Sequence, residues 1–130
     1  MAVFFNKIQR YDPRNPTRLR KWYLILKSVG AKQTKEVAQR MADETTMNPK
    51  EAEIALYQLV KVMKNILLEG CTVQIDDLGT FYLTANSSAS ETEEGVTARN
   101  CTALHIRFKP DEALQAEINK AQLIAIDKLT

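Results

Sequence analysis

Few side chains in this sequence could catalyse a reaction, and their spacing does not match a catalytic group. The 130 residues include one histidine, His105, within a segment that alternates like a β-strand. Asp76 and Asp77 are adjacent, so in an extended chain they point to opposite faces and cannot act as a carboxylate pair. The sequence has no glycine-rich phosphate loop and no metal-ligand spacing. It therefore predicts a protein that is not an enzyme and uses no cofactor, no metal and no small-molecule substrate.

The cysteines and the start of the chain bear on its compartment. Cys71 and Cys101 form no ligand pattern, and we expect buried thiols rather than a disulfide or a metal site. No apolar run approaches the roughly 20 residues that span a bilayer. The opening "MAVFFNKIQR" lacks the regions of a secretory signal. These features favour the cytoplasm, without membrane contact.

Cationic side chains are concentrated at the start of the chain. Residues 1–32 contain eight Lys or Arg and one acidic residue, a net charge of +7, whereas residues 33–130 contain ten and fifteen, a net charge of −5. This asymmetry favours a basic surface that meets a polyanion, although an ordinary solvated face is the alternative. From charge clustering alone, the candidate phosphate contacts are Arg10, Arg14, Arg18, Arg20 and Lys21.

The basic segment also contains two predicted strands. Residues 3–11, "VFFNKIQRY", and residues 21–29, "KWYLILKSV", are rich in aromatic and branched side chains. The intervening "DPRNPTR" carries two prolines, which favours a loop. The pattern predicts a β-hairpin with a long basic loop.

Two helices are predicted next, and the second has clear start and stop signals. Thr34 can cap a short helix. Asn48, Pro49 and Glu51 are typical of an N-cap, a first helical position and a capping box, and the helix should end near Gly70. Its apolar face is broad, which is explained either by burial against a second subunit or by an ordinary core helix.

A ribbon of strands and a last helix complete the order. Strands are expected at 71–76, 80–85 and 103–109, with a turn at "DDLG". Between the second and third strands lies the arm, residues 86–100, which is polar and has little to bury. Pro110 and Asp111 should start a final helix over "DEALQAEINKAQLIAI".

Two motifs in this order resemble the HU/IHF family of bacterial DNA-binding proteins. In "VQIDDLGTF", Gly79 and Phe81 match the family's Gly-Thr-Phe, and in "IRFKPDEAL" the matching residues are Phe108, Lys109, Pro110 and Leu114. The resemblance covers about residues 33–120, and the added N-terminal hairpin resembles the longer HU-like proteins of Bacteroidetes.

The resemblance implies an α+β fold of the HU/IHF type. Its parts are two helices, a three-stranded β-ribbon with an arm and a C-terminal helix, preceded by the N-terminal β-hairpin. Residues 1–32 would form a basic extension packed on the core. Residues 33–130 would form an HU-like dimerisation and DNA-binding domain.

The resemblance also implies function. The expected protein is a nucleoid-associated, cytoplasmic homodimer that binds double-stranded DNA with low sequence specificity through β-arms and the basic N-terminal surface. By resemblance, DNA contacts fall on Arg99, Asn100, Arg107 and Lys109. The expected dimer interface comprises Leu56, Leu59, Val60, Met63, Phe81 and Phe108.

The arm departs from the family pattern. It has no proline and a single cation, Arg99, against Glu91, Glu93 and Glu94. Carboxylates beside phosphates oppose the release of counterions that drives binding. The alternative function is therefore an HU-fold dimeric scaffold or protein-interaction module with weak or no DNA binding.

Overall fold

The computed structural model describes residues 2–10, 14 and 21–126, and it divides into two compact units. One unit contains the described residues up to 33 and those from 117 onwards, and the other spans residues 34–116. The fold is α+β. In chain order the elements are β1 (Ala2–Arg10), β2 (Lys21–Lys27), α1 (Thr34–Glu44), α2 (Pro49–Leu68), β3 (Val73–Ile75), β4 (Gly79–Ser87), β5 (Cys101–Pro110), α3 (Glu112–Asn119) and β6 (Gln122–Ala125), with a 3₁₀ turn at Ala98–Asn100.

The two long helices form where the local signals predicted them. The Asn48 side chain accepts a hydrogen bond from the backbone N–H of Glu51 at 2.9 Å and donates one to its carboxylate at 3.0 Å. Pro49 opens α2. Gly70 follows the helix with φ +87°, a conformation that glycine adopts without a side-chain clash. The predicted bounds of α2 are confirmed to within one residue, and α1 packs against it.

A tight turn after α2 organises the second sheet. The backbone N–H of Leu78 donates to the carbonyl of Ile75 at 3.1 Å, and Asp77 adopts φ +65°. At Gly79, φ is +146°, and an added Cβ would collide with the Lys109 carbonyl and the Phe108 ring. The glycine of the "DDLGT" motif is therefore required both by its backbone angle and by the close approach of β5.

The sheet of β3, β4 and β5 is antiparallel throughout. We call the long β4–β5 pair the ribbon. Its register pairs Phe81 with Phe108, Leu83 with Ile106 and Ala85 with Leu104. The two phenylalanine rings lie 4.8 Å apart at 31°, a cross-strand aromatic contact that fixes this register.

The arm is held by hydrogen bonds of its own. The backbone N–H of Ser88 donates to the carbonyl of Asn100 at 2.8 Å, and the Asn100 amide donates back to the Ser88 carbonyl at 3.3 Å. Thr97 and Asn100 form a capping box around the 3₁₀ turn. A bulge at Asn86 and Ser87 ends the regular pairing. Apart from Asn100, every arm residue is exposed.

The first sheet contains an unpredicted strand. β1 pairs antiparallel with β2, as expected for a hairpin, and parallel with β6. The prediction of a final helix through the whole of "DEALQAEINKAQLIAI" was wrong at its C-terminal end, because α3 ends at Asn119 and Gln122–Ala125 are extended. The backbone groups of Gln122–Ala125 form hydrogen bonds to the edge of β1 that β2 leaves open, in place of the hydrogen bonds of a helix.

The fully buried core is small. Among the described residues, the buried side chains are Ala38, Ala52, Leu67 and Val73, all between 34 and 116, and no large side chain is fully buried. Cys71 and Cys101 were predicted to be buried, which was wrong, since both are exposed and free. A chain of this length normally buries much more apolar surface when it folds alone.

Candidate nucleic-acid interface

The ribbon separates apolar from polar side chains by its two faces. Successive residues of a strand point to opposite faces, so Phe81, Leu83 and Ala85 share one face with their partners Phe108, Ile106 and Leu104. The opposite face is polar and carries Thr80, Tyr82, Thr84, His105, Arg107 and Lys109.

Two predicted DNA contacts lie together on this polar face. Arg107 is directly opposite Tyr82 across the ribbon, and Lys109 is opposite Thr80. Both cations are exposed, and neither has a carboxylate within ion-pair distance in the described part of the chain. Positions two apart on one strand place both cations on the same side, where they can meet one run of phosphates.

Lys109 borders a polar cleft at the base of the ribbon. The cleft has a volume of about 240 Å³, and Asp111 and Glu112 also line it. The backbone N–H of Asp111 donates to the Leu78 carbonyl at 3.0 Å, which ties the start of α3 to the turn. Two carboxylates near Lys109 make this end of the polar face less positive than the Arg107 end.

The other two DNA contacts predicted by resemblance, Arg99 and Asn100, lie in the arm and not on the polar face of the ribbon. Arg99 is exposed in the 3₁₀ turn, and its backbone N–H donates to the Thr97 hydroxyl at 3.3 Å. Asn100 is half-buried, and its side chain bonds to Ser88 and Thr97. Asn100 therefore closes the arm, and its contact with DNA stays a prediction.

The hairpin places two predicted phosphate contacts next to each other. Arg10 and Lys21 are direct cross-strand partners at the loop end of the hairpin, and both are exposed. Like charges directly opposite in a sheet repel each other, and a bound anion relieves that repulsion. Arg14 is also exposed, whereas Arg18 and Arg20 lie outside the described residues.

The residues predicted for a dimer interface line an open apolar surface. Val60 is 64% exposed, Leu59 41% and Phe108 44%, while Leu56, Met63 and Phe81 are half-buried. A groove of about 390 Å³ runs between α2 and the ribbon. It is lined by Val60, Met63, Lys64, Leu67, Leu68, Leu83 and Ile106.

Two features of the charged surfaces were missed from the sequence. Tyr82, opposite Arg107, was placed in a strand but not on the polar face. Trp22 is 66% exposed on β2, although an aromatic residue in "KWYLILK" was read only as a strand former. Alternation shows which side chains of a strand share a face. The neighbours on that face follow only from the pairing with the partner strand.

Other kinds of site are not evident. Within the described residues, no three His, Cys, Asp or Glu side chains are grouped so that they could hold a metal ion. None of the described helices is long and apolar enough to cross a membrane.

Two helices, a ribbon with an arm and a following helix define an HU-like fold, and similarity to known proteins agrees. The chain belongs to the HU-HIG family, whose model, described as an HU domain fused to wHTH, Ig or glycine-rich motif, matches residues 1–124. No curated protein sequence matches the chain.

Two solved structures share the fold at low sequence identity. A candidate bacterial DNA-binding protein from Bacteroides vulgatus ATCC 8482 superimposes with a TM-score of 0.69 at 11% identity over 96% of this chain. The chain spans 48% of that protein's length. HU from Anabaena, crystallised with DNA, gives a TM-score of 0.55 at 12% identity, covering 68% of this chain and 99% of HU.

Proposed function

We propose that this protein is an architectural DNA-binding protein that acts as a homodimer with low sequence specificity, and not as an enzyme. The observation that carries the proposal is the division of the ribbon into an apolar face continuous with the groove along α2 and a polar face bearing Arg107 and Lys109. One face suits a second copy of the chain, and the other suits a phosphate backbone.

The apolar surface supports the dimer. Leu104 is 62% exposed and Ile106 59%, which adds to the uncovered stripe of α2. Full burial of such a side chain stabilises by about 1.5–3 kcal/mol, so covering half of each contributes about 1 kcal/mol. Together these contributions are on the order of 5 kcal/mol per protomer for six residues, which are Leu59, Val60, Leu83, Leu104, Ile106 and Phe108.

The placement of the cations supports low specificity. Arg107 and Lys109 lie on a strand, with Thr80 and Tyr82 opposite them. Side chains that bind phosphates position a protein on DNA without reading its sequence, whereas specific readout needs groups aimed at base edges. The Anabaena neighbour is described as an HU–DNA complex, and we propose DNA as the partner of this chain as well.

The acidic arm and the basic hairpin affect DNA binding in opposite directions. Glu91, Glu93 and Glu94 oppose phosphate binding near the arm, whereas the hairpin presents the adjacent cations Arg10 and Lys21. We assign the larger electrostatic contribution to the hairpin and a smaller one to the ribbon. Such a protein would act on the nucleoid in the cytoplasm.

Sedimentation and gel mobility at low salt test this proposal together. We expect a dimer at micromolar concentration, and we expect two duplexes of equal length and unrelated sequence to shift at similar protein concentrations. A folded monomer at that concentration would contradict the proposed homodimer. Failure to shift either duplex would contradict DNA binding and favour the scaffold alternative.

A further inference from the structure

The edge strand of the first sheet exposes an apolar row. β2 pairs only with β1 among the described strands, and all seven of its residues are exposed. Trp22, Leu24 and Leu26 alternate along it and are 66%, 51% and 60% exposed. They share one face, since alternate residues of a strand point the same way.

One cation shares the face of this row, and others lie on the opposite face of the same two strands. Lys7 pairs with Leu24, which places it on the same face and diagonally next to Trp22, at about 7 Å. Lys21 precedes Trp22 and pairs with Arg10, so these two cations lie at the same end of the hairpin but on the opposite face of the sheet. In the described residues up to 33, all charged side chains are cationic: Lys7, Arg10, Arg14, Lys21, Lys27 and Lys32.

This combination restricts what can cover the row. A second copy of the hairpin would bring its own cations against these, and like charges repel. Duplex DNA supplies negative charge but keeps the faces of its bases stacked inside the helix. A strand with unpaired bases supplies both phosphates and flat apolar surfaces, which stack on aromatic side chains.

We propose that Trp22 is a stacking platform for an unpaired base of a nucleic-acid strand, with Lys7, on the same face, binding a neighbouring phosphate. The site lies on the hairpin. It deepens the proposed function by adding a second form of ligand, single-stranded nucleic acid, to duplex DNA. A strand that passes around this edge of the sheet at Trp22 meets Lys7 on one face and Lys21 with Arg10 on the other.

Trp22 is the single tryptophan of the chain, so its fluorescence reports directly on the site. Titration of the full chain with oligothymidylate should quench the emission, and added salt should reverse the quenching. Trp22→Ala should weaken the affinity for oligothymidylate, measured by anisotropy of a labelled strand, by at least about fivefold. Trp22→Phe should restore most of it. An oligouridylate of equal length identifies whether DNA or RNA is preferred, and either preference supports the site.

Leu26→Ala is the matched control, because Leu26 is equally exposed on the same face but lies at the other end of β2. It should bind as wild type does. Quenching of wild type without any duplex binding would support this site while contradicting the proposed function. Unchanged Trp22 emission through the titration, or wild-type affinity in Trp22→Ala, would overturn the inference. Emission that changes with protein concentration alone would also overturn it, since it would show that hairpins contact each other.

Discussion

Both three-stranded sheets expose apolar side chains, but the two differ in the charge beside them. In the sheet of β1, β2 and β6, the hairpin strands carry cations alone. The ribbon ends in an arm with three glutamates and one arginine, Arg99. Its apolar face borders the groove along α2, where Lys64 is the one charged residue of the lining.

This difference indicates what each sheet is built to meet. An apolar face beside an apolar helix is suited to a second copy of the same chain, because nothing in it requires a counter-charge. An apolar row among cations is suited to a polyanion. Shape alone would assign both sheets the same role, and the charges separate them.

The largest expected effect comes from placing a charge in the α2 groove. Met63→Glu should abolish the folded dimer, since an uncompensated charge in the shared interface costs about 3–5 kcal/mol or more. Circular dichroism and sedimentation will detect the loss. Lys61→Glu, at a charged and exposed position of the same helix, should leave both signals unchanged. A folded wild-type monomer at micromolar concentration would remove the basis of this prediction.

The next largest effect tests the basic hairpin. Changing Arg14, Arg18, Arg20 and Lys21 together to glutamine should weaken duplex binding. The slope of log K against log salt should fall by up to about 3.6, since each phosphate contact contributes roughly 0.9. Isothermal titration at several salt concentrations measures this slope.

A variant with the same change in net charge separates local contacts from a general effect. Changing Lys35, Arg40, Lys50 and Lys61 to glutamine removes four cations from the helices instead. That variant should keep nearly the wild-type slope. If the hairpin variant binds as well as wild type while Arg99→Ala and Lys109→Ala abolish binding, the ribbon is the main contact and our assignment is wrong.

A smaller effect is expected on the polar face of the ribbon. Arg107→Ala with Lys109→Ala should lower the salt slope by about 1.8 if both side chains contact phosphates. Arg107 should contribute more, because Asp111 and Glu112 line the cleft beside Lys109. Single variants in the same titration will rank the two, and an unchanged slope in the double variant would exclude the ribbon from the contact.

The smallest effect has the opposite sign. Replacing Glu91, Glu93 and Glu94 with glutamine should tighten duplex binding at low salt, because three charges that repel phosphates are lost. The gain should vanish at high salt, where exposed charges are screened. As a control, Asp43, Glu44 and Glu53 can be neutralised on the helices. Weaker binding in the arm variant would contradict the repulsion that we assign to the three arm carboxylates.

Most of the fold follows from local signals in the sequence. Asn48, Pro49 and Glu51 set the start of α2, and the alternation around Phe81 and Phe108 gives the ribbon. β6 could not be predicted in this way. Its "QLIA" continues a helical pattern, and only pairing with β1, more than a hundred residues earlier, makes it a strand.

The candidate site was predictable in composition but not in arrangement. Charge clustering proposed Arg10 and Lys21 as candidates, yet their position directly opposite each other depends on the hairpin register. The role of Asn100 in closing the arm could not be predicted, because its hydrogen bonds to Ser88 join the two ends of the arm and no short sequence pattern indicates them. The exposure of Trp22 depends on β2 being an edge strand, which no short stretch of sequence determines.

A salt-dependent titration of wild-type protein on a duplex of arbitrary sequence tests most directly whether the protein binds DNA through its cations. We expect binding at low salt, and we expect log K to fall linearly with log salt. The slope should exceed about 1.8, the share that Arg107 and Lys109 alone would give. No binding at low salt, or binding that salt does not weaken, would contradict this expectation.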